Sequence, residues 1–139
     1  LFRSVVAKQQ LTAHHGDAAR GLTGFVNLTL HDSDTNTVRD MQNIGLVYKG
    51  AFDARPQDEI AIGLARININ DDVNEANIAN NSVDARGLQS EEYDAEIYYG
   101  IHAANWLTIR PNIQYIRHVG AYKNGENAWV GGIKFQTAF

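Results

Sequence analysis

The sequence predicts an all-β chain of the antiparallel transmembrane β-barrel class, on three observations. Apolar residues recur at every second position, the recurring segments are about 12–13 residues long, and the connections between them differ in length from one side to the other. Seven segments fit, at roughly 2–13, 20–32, 41–53, 58–70, 91–103, 106–118 and 126–139, with only Pro56 and Pro111 inside the pattern. Ordinary soluble strands run about five or six residues, whereas a tilted membrane strand with its rims needs roughly twice that.

Taken in order, the first segment sets Lys8 and Gln10 on one side, while Gln9 falls on the side expected to be apolar. The third turns Ile44, Leu46, Tyr48 and Phe52 away from Lys49. In the fourth, Arg66 falls on the apolar side, and a bulge or a register shift would move it. The fifth opposes Tyr93, Ala95, Ile97, Tyr99 and Ile101 to Asp94, Glu96 and His102; the sixth opposes Leu107, Ile109, Ile113 and Tyr115 to Thr108, Arg110, Asn112 and Gln114. The seventh carries Trp129, Ile133, Phe135 and Phe139 against Lys134 and Gln136. Connections at His14–Ala19, Asp53–Gln57 and Ala104–Asn105 are short or moderate. Asp71 to Ser90 is about twenty residues of mostly Asn, Asp, Ala and Glu, and is expected to be a long external loop. Phe52, Trp106, Phe135 and Phe139 fall at one end of the strands, and Tyr93, Tyr115 and Trp129 at the other, as interfacial girdles do.

Composition narrows the function. A net charge of -4 from 12 basic and 16 acidic residues, with no block of either sign, argues against nucleic acid as a partner. There are no cysteines, hence no disulfide and no thiolate chemistry. No apolar run reaches the roughly 18 residues of a membrane helix, a test to which a barrel is blind. The chain begins at Leu1 without a leader and is expected to be the C-terminal part of a single barrel domain spanning 1–139, with upstream strands in the same protein. Seven strands do not close a bacterial barrel; about 16–18 would leave an aqueous channel, and eight would be filled by side chains.

Enzymatic arrangements are missing. No nucleophile elbow, glycine-rich phosphate loop or catalytic carboxylate spacing occurs, so no enzyme and no cofactor are expected. Asp32, Asp34 and Asn36 begin like a calcium loop, but Thr37 stands where glycine is needed and Asn43 where the bidentate glutamate would be. His14 and His15 lack a carboxylate at ligand spacing, so no metal is expected.

At GLTGFVNL (21–28), GLVYKGAF (45–52), NWLTIRPNIQYIRH (105–118) and NAWVGGIKFQTAF (127–139), the chain resembles the OprB-type carbohydrate-selective porins of Gram-negative outer membranes. The resemblance covers nearly the whole chain and is most specific at the Trp-Leu-Thr-x-x-Pro-x-x-Gln-Tyr-Ile run, 106–116. It departs at His118–Ala121, where the family often has Pro-Gly. It implies the last seven strands of a 16-stranded barrel, passive diffusion of glucose and other small sugars, and contact with outer-membrane lipid and lipopolysaccharide. It also implies that Phe139, with Phe135, is read by the barrel-assembly machinery.

On the polar face the channel-lining candidates are Lys8, Gln10, Lys49, Asp94, Glu96, Arg110, Asn112, Gln114, Lys134 and Gln136, with Arg66 if its register shifts. Such residues offer a passing sugar many donors and acceptors, none of them gripping. They also form cross-strand charge pairs contributing about 0.2–1 kcal/mol each. Two other readings remain open at this level: a general or anion-selective porin on the same barrel, and a soluble β-sandwich carbohydrate-binding module.

Overall fold

The computed structural model describes residues 3–32 and 36–138. Phe139 and part of the Asp32–Asn36 stretch therefore lie outside the described residues. Seven strands form: β1 (Arg3–Gln10), β2 (Gly21–Leu30), β3 (Val38–Lys49), β4 (Glu59–Ile69), β5 (Glu91–Ala104), β6 (Leu107–Arg117) and β7 (Ala128–Thr137). They make one antiparallel sheet in sequence order, each strand paired with its chain neighbours.

Strict alternation gives the sheet two unlike faces. On one face lie Leu28, Ile44, Leu46, Ile62, Leu64, Ile97, Ile113, Ile133 and Phe135, and all of them are solvent-exposed in the isolated sheet. Among the described residues the buried apolar ones are only Ala61 and Ala121. A soluble sandwich of this size would fold those aliphatic chains against a second sheet. Here Trp129 is 75% and Ile133 63% exposed, so this face demands an apolar medium. The band has ends: the rings of Tyr115 and Trp129 lie 4.9 Å apart at the end bearing the long connections, and Phe52 and Tyr99 lie 6.5 Å apart near the other. From Tyr93 to Ile101 the strand rises roughly 27 Å, which a tilt of about 40° projects to roughly 21 Å, near the height of a barrel's apolar belt.

At the short-turn end, two turns resemble each other. His14 and Asp17 bridge across His15 (φ 48) and Gly16 (φ 84), and Phe52 and Arg55 bridge across Asp53 and Ala54. Gly50 (φ 66) donates its N–H to the Asp58 carbonyl at 2.7 Å; a Cβ there would lie 2.7 Å from the Pro56 carbonyl oxygen.

The sequence expectation of seven strands agrees with this sheet, with three local differences. The third strand starts earlier, at Val38, and an irregularity between Val38 and Asp40 breaks the alternation there. The 71–90 connection contains helix α1 (Asp71–Ala79), capped by the Asn70 side chain accepting from the Asp72 N–H, with Asp71 and Asp72 in the first turn where the helix dipole favours them. And no bulge rescues Gln9 or Arg66: Gln9 pairs with Gly24 and Arg66 with Tyr93, both on the apolar face.

Candidate channel wall

The other face is polar and is built across β4–β7. Glu59 opens β4 opposite Gly100, whose missing side chain leaves room for it; a Cβ at Gly100 would lie 2.7 Å from the Glu59 Cγ. Glu59 Oε1 accepts from Arg110 Nη2 at 2.9 Å and from the Tyr98 hydroxyl at 3.0 Å. The Arg110 guanidinium lies over the Tyr98 ring, 5.3 Å from its centroid. A second group follows along the wall: Glu96 accepts from Gln114 Nε2 at 2.7 Å and from Lys134 Nζ at 3.2 Å. Between the two, Asn112 pairs with Tyr98 and Gly132 and is buried, its Oδ1 filling the space that Gly132 leaves.

Seven of the eleven lining candidates are thus gathered on one face of β5–β7: Asp94, Glu96, Arg110, Asn112, Gln114, Lys134 and Gln136. Asp94, opposite Ala65 and Ile116, has its Oδ1 buried. Lys8, opposite Phe25, and Lys49, opposite Gly21 and Glu59, share that face further along the sheet. Arg66 does not join them. It sits on the apolar face at the long-loop end, where Glu91 Oε2 takes its Nη2 at 2.6 Å and its Nε at 3.1 Å. Near it, on the same face, Asn68 Nδ2 donates to both Asp40 oxygens at 3.0 Å. Gln10, though on the polar side, spends its amide on the carbonyls of Thr12, Ala18 and Arg20 in the first turn.

Glu59 and Tyr98 were missed by sequence reasoning. Their parity with Asp94 and Glu96 across the β4–β5 pair is the signal that would have found them. Small residues leave a hollow in the same wall, about 580 Å³, over Ala61, Gly63 and Ala65 and edged by Phe25, Lys8 and Glu96. Phe25 is laid flat by its partner: a Cβ at Gly45 would fall 2.6 Å from its ring.

Ionised groups also order the rims. At the short-turn end, the Arg20 guanidinium beside Asp53, and then His14, hold its carboxyl below the ordinary value. Burial pushes the Asp58 carboxyl up, but hydrogen bonds from Arg55, the His102 N–H and the Tyr99 hydroxyl together outweigh it and leave the pKa lowered. At the other end, Arg86 hydrogen bonds bring Asp84 down to about 2. Arg86 also covers the Tyr122 ring at 4.0 Å, and Ser90 N–H and Lys123 N–H bond across to Ala121 and Leu88, so the long connection is fastened to the next one.

Comparison with known proteins agrees with this geometry. Residues 3–139 match the family model described as carbohydrate-selective porin, OprB family. The chain is similar to Porin B of Pseudomonas aeruginosa, 51% identical over 97% of this chain and 32% of that protein. It is also similar to the putative porin QuiX of Acinetobacter baylyi, 35% identical over 95% of this chain and 33% of that protein. Its sheet superposes on the high-pH structure of Pseudomonas putida OprB with a TM-score of 0.87 at 51% identity, covering 98% of this chain and 34% of that one. The low-pH structure of the same protein gives 0.70. The chain spans about a third of the length of the curated relatives it matches. An exposed apolar face, a polar face of paired charges and a family match over nearly every residue place this chain in the OprB family of carbohydrate-selective porins.

Proposed function

We propose that this sheet is an arc of the wall of an outer-membrane porin through which glucose and other small carbohydrates diffuse passively, a channel and not an enzyme. Further strands of the same protein close the bore, the apolar face meets lipid and lipopolysaccharide at the long-loop end, and the barrel-assembly machinery reads the C-terminal strand. The observation that carries the reading is the pair of hydrogen-bonded groups, Glu59–Tyr98–Arg110 and Glu96–Gln114–Lys134, opposite a face that is apolar through its middle. A sugar sliding along such a wall trades water for side-chain donors and acceptors that already have partners, so each contact is weak and release is fast. Arg110 over Tyr98 adds a planar surface and a fork of donors suited to neighbouring hydroxyls.

Charge balance supports sugar over anions within this arc: Lys8, Lys49, Arg110 and Lys134 face Glu59, Glu92, Asp94 and Glu96. Liposomes carrying the full-length protein should swell faster in glucose or maltose than in amino acids of similar size. Equal rates would make it a general porin.

A further inference from the structure

We propose that His14, His15 and Asp53 form a binding site for a zinc-type transition-metal dication on the short-turn rim, linking the β1–β2 turn to the β3–β4 turn. One ligand atom from each of the three residues lies within 4.8 Å of the others. Sequence reading finds no carboxylate at ligand spacing beside the histidine pair, because Asp53 arrives from the next short turn.

The three positions are not equivalent, and their chemistry fits a metal in a specific way. His14 is the oriented ligand: its Nδ1 is 2.8 Å from the Tyr48 hydroxyl, which fixes the ring and turns Nε2 toward Asp53. That Nε2 is buried, makes no hydrogen bond, and lies 3.3 Å from Asp53 Oδ1. In tetrahedral zinc with bonds of about 2.0–2.1 Å, two ligand atoms stand about 3.3 Å apart. The His14–Asp53 edge of a coordination tetrahedron is therefore already formed. His15 stands edge-on to His14, ring centroids 4.4 Å apart, and is exposed, so its ring can swing the remaining distance without disturbing packing. Its left-handed backbone, φ 48, is what turns it to the same side as its neighbour. The Tyr48 contact is the partner that ligating histidines commonly have on their other nitrogen.

Two imidazoles and one carboxylate select borderline ions such as Zn²⁺ over calcium or magnesium, which require mostly oxygen. A water completes the fourth position. Arg20 Nη2 holds Asp53 Oδ1 at 2.7 Å, so the carboxylate is shared between a guanidinium and the metal, which tempers the affinity.

The test is isothermal titration of full-length protein in detergent micelles with ZnCl₂, above the ordinary imidazole pKa of about 6.5. One saturable Zn²⁺ per chain is expected from this rim, weakened at least tenfold by His15→Asn and by Asp53→Asn. Tyr48→Phe, which removes the partner of His14, should weaken binding by roughly 10–100-fold. Heat-dependent gel mobility checks that each variant still forms the barrel. His15 is exposed, so His15→Asn decides the matter alone should the others misfold. Absence of saturable binding, or binding undiminished in folded His15→Asn, overturns the site.

Discussion

Replacing Asp58 by Asn should cost about 2–4 kcal/mol of barrel stability although the residue faces neither sugar nor lipid. Asp58 is 4% exposed in the turn before β4. Its carboxylate accepts from Arg55 Nε at 2.8 Å and Nη2 at 3.1 Å, from the Tyr99 hydroxyl at 2.8 Å and from the His102 N–H at 2.8 Å. Arg55 is half-exposed, so its share is small. The part-buried Tyr99 and His102 donors are each worth about 1.5–3 kcal/mol to a charged acceptor, and asparagine can still serve one of them. The pKa of Asp58 is lowered in the folded protein, so its contribution is complete above the free carboxyl value of about 3.9 and disappears as pH falls through the lower folded value. The deficit of Asp58→Asn should therefore be constant near neutrality and shrink only below about pH 3.9. Urea unfolding of the full-length protein in lipid bilayers, followed by tryptophan fluorescence, measures both. A loss under 0.5 kcal/mol in these energy terms, or one independent of acid, would refute the reasoning.

Other outcomes test the wall and the belt. Glu59→Gln leaves Arg110 without its carboxylate and should move the zero-current potential of a planar bilayer under a salt gradient toward anions. Gly45→Ala would set a Cβ 2.6 Å from the Phe25 ring and 2.7 Å from the Ile62 carbonyl oxygen, so it should push Phe25 toward the bore and strain the β3–β4 pairing, lowering both single-channel conductance and the temperature at which gel mobility reports unfolding. Leu64→Arg, at the middle of β4 on the apolar face, should cost about 2–4 kcal/mol in bilayer unfolding, whereas the natural Arg66 one pleat further out is tolerated. On the proposal that the assembly machinery reads Phe139, Phe139→Ser should lower the yield of heat-modifiable barrel in outer membranes, and an unchanged yield would refute that role.

The sheet was legible because large apolar residues at every second position leave few alternatives. Ile60, Ile62 and Leu64, or Ile109, Ile113 and Tyr115, can lie on one face only in extended chain. Helix α1 was not legible: none of its residues is buried, so Asp71–Ala79 carries no apolar period, and its cap, Asn70, reads equally well as a loop residue. The wall was half legible. Charged residues of β5–β7 showed their parity, but Glu59 sits at a strand start, and Tyr98 is an aromatic whose function on that face depends on Arg110 from the next strand. Asp53 was invisible beside His14 for the same reason, since only the pairing of neighbouring hairpins joins their turns.

The two violations of alternation carry more information than the agreements. Gln9 lies at the short-turn end of β1 and Arg66 near the long-loop end of β4, and the interior of the outward face holds no charge between them. Toward the long-loop end Arg66 is joined by Glu91 and by the buried Asp40–Asn68 pair, each polar group partnered within the protein. Polar side chains on a lipid-facing surface cost little only near the interface. In the proposed porin the misfits would therefore bracket the stretch of each strand that lies in hydrocarbon, and an apparent error of pattern becomes a guide to how much of each strand the membrane would cover.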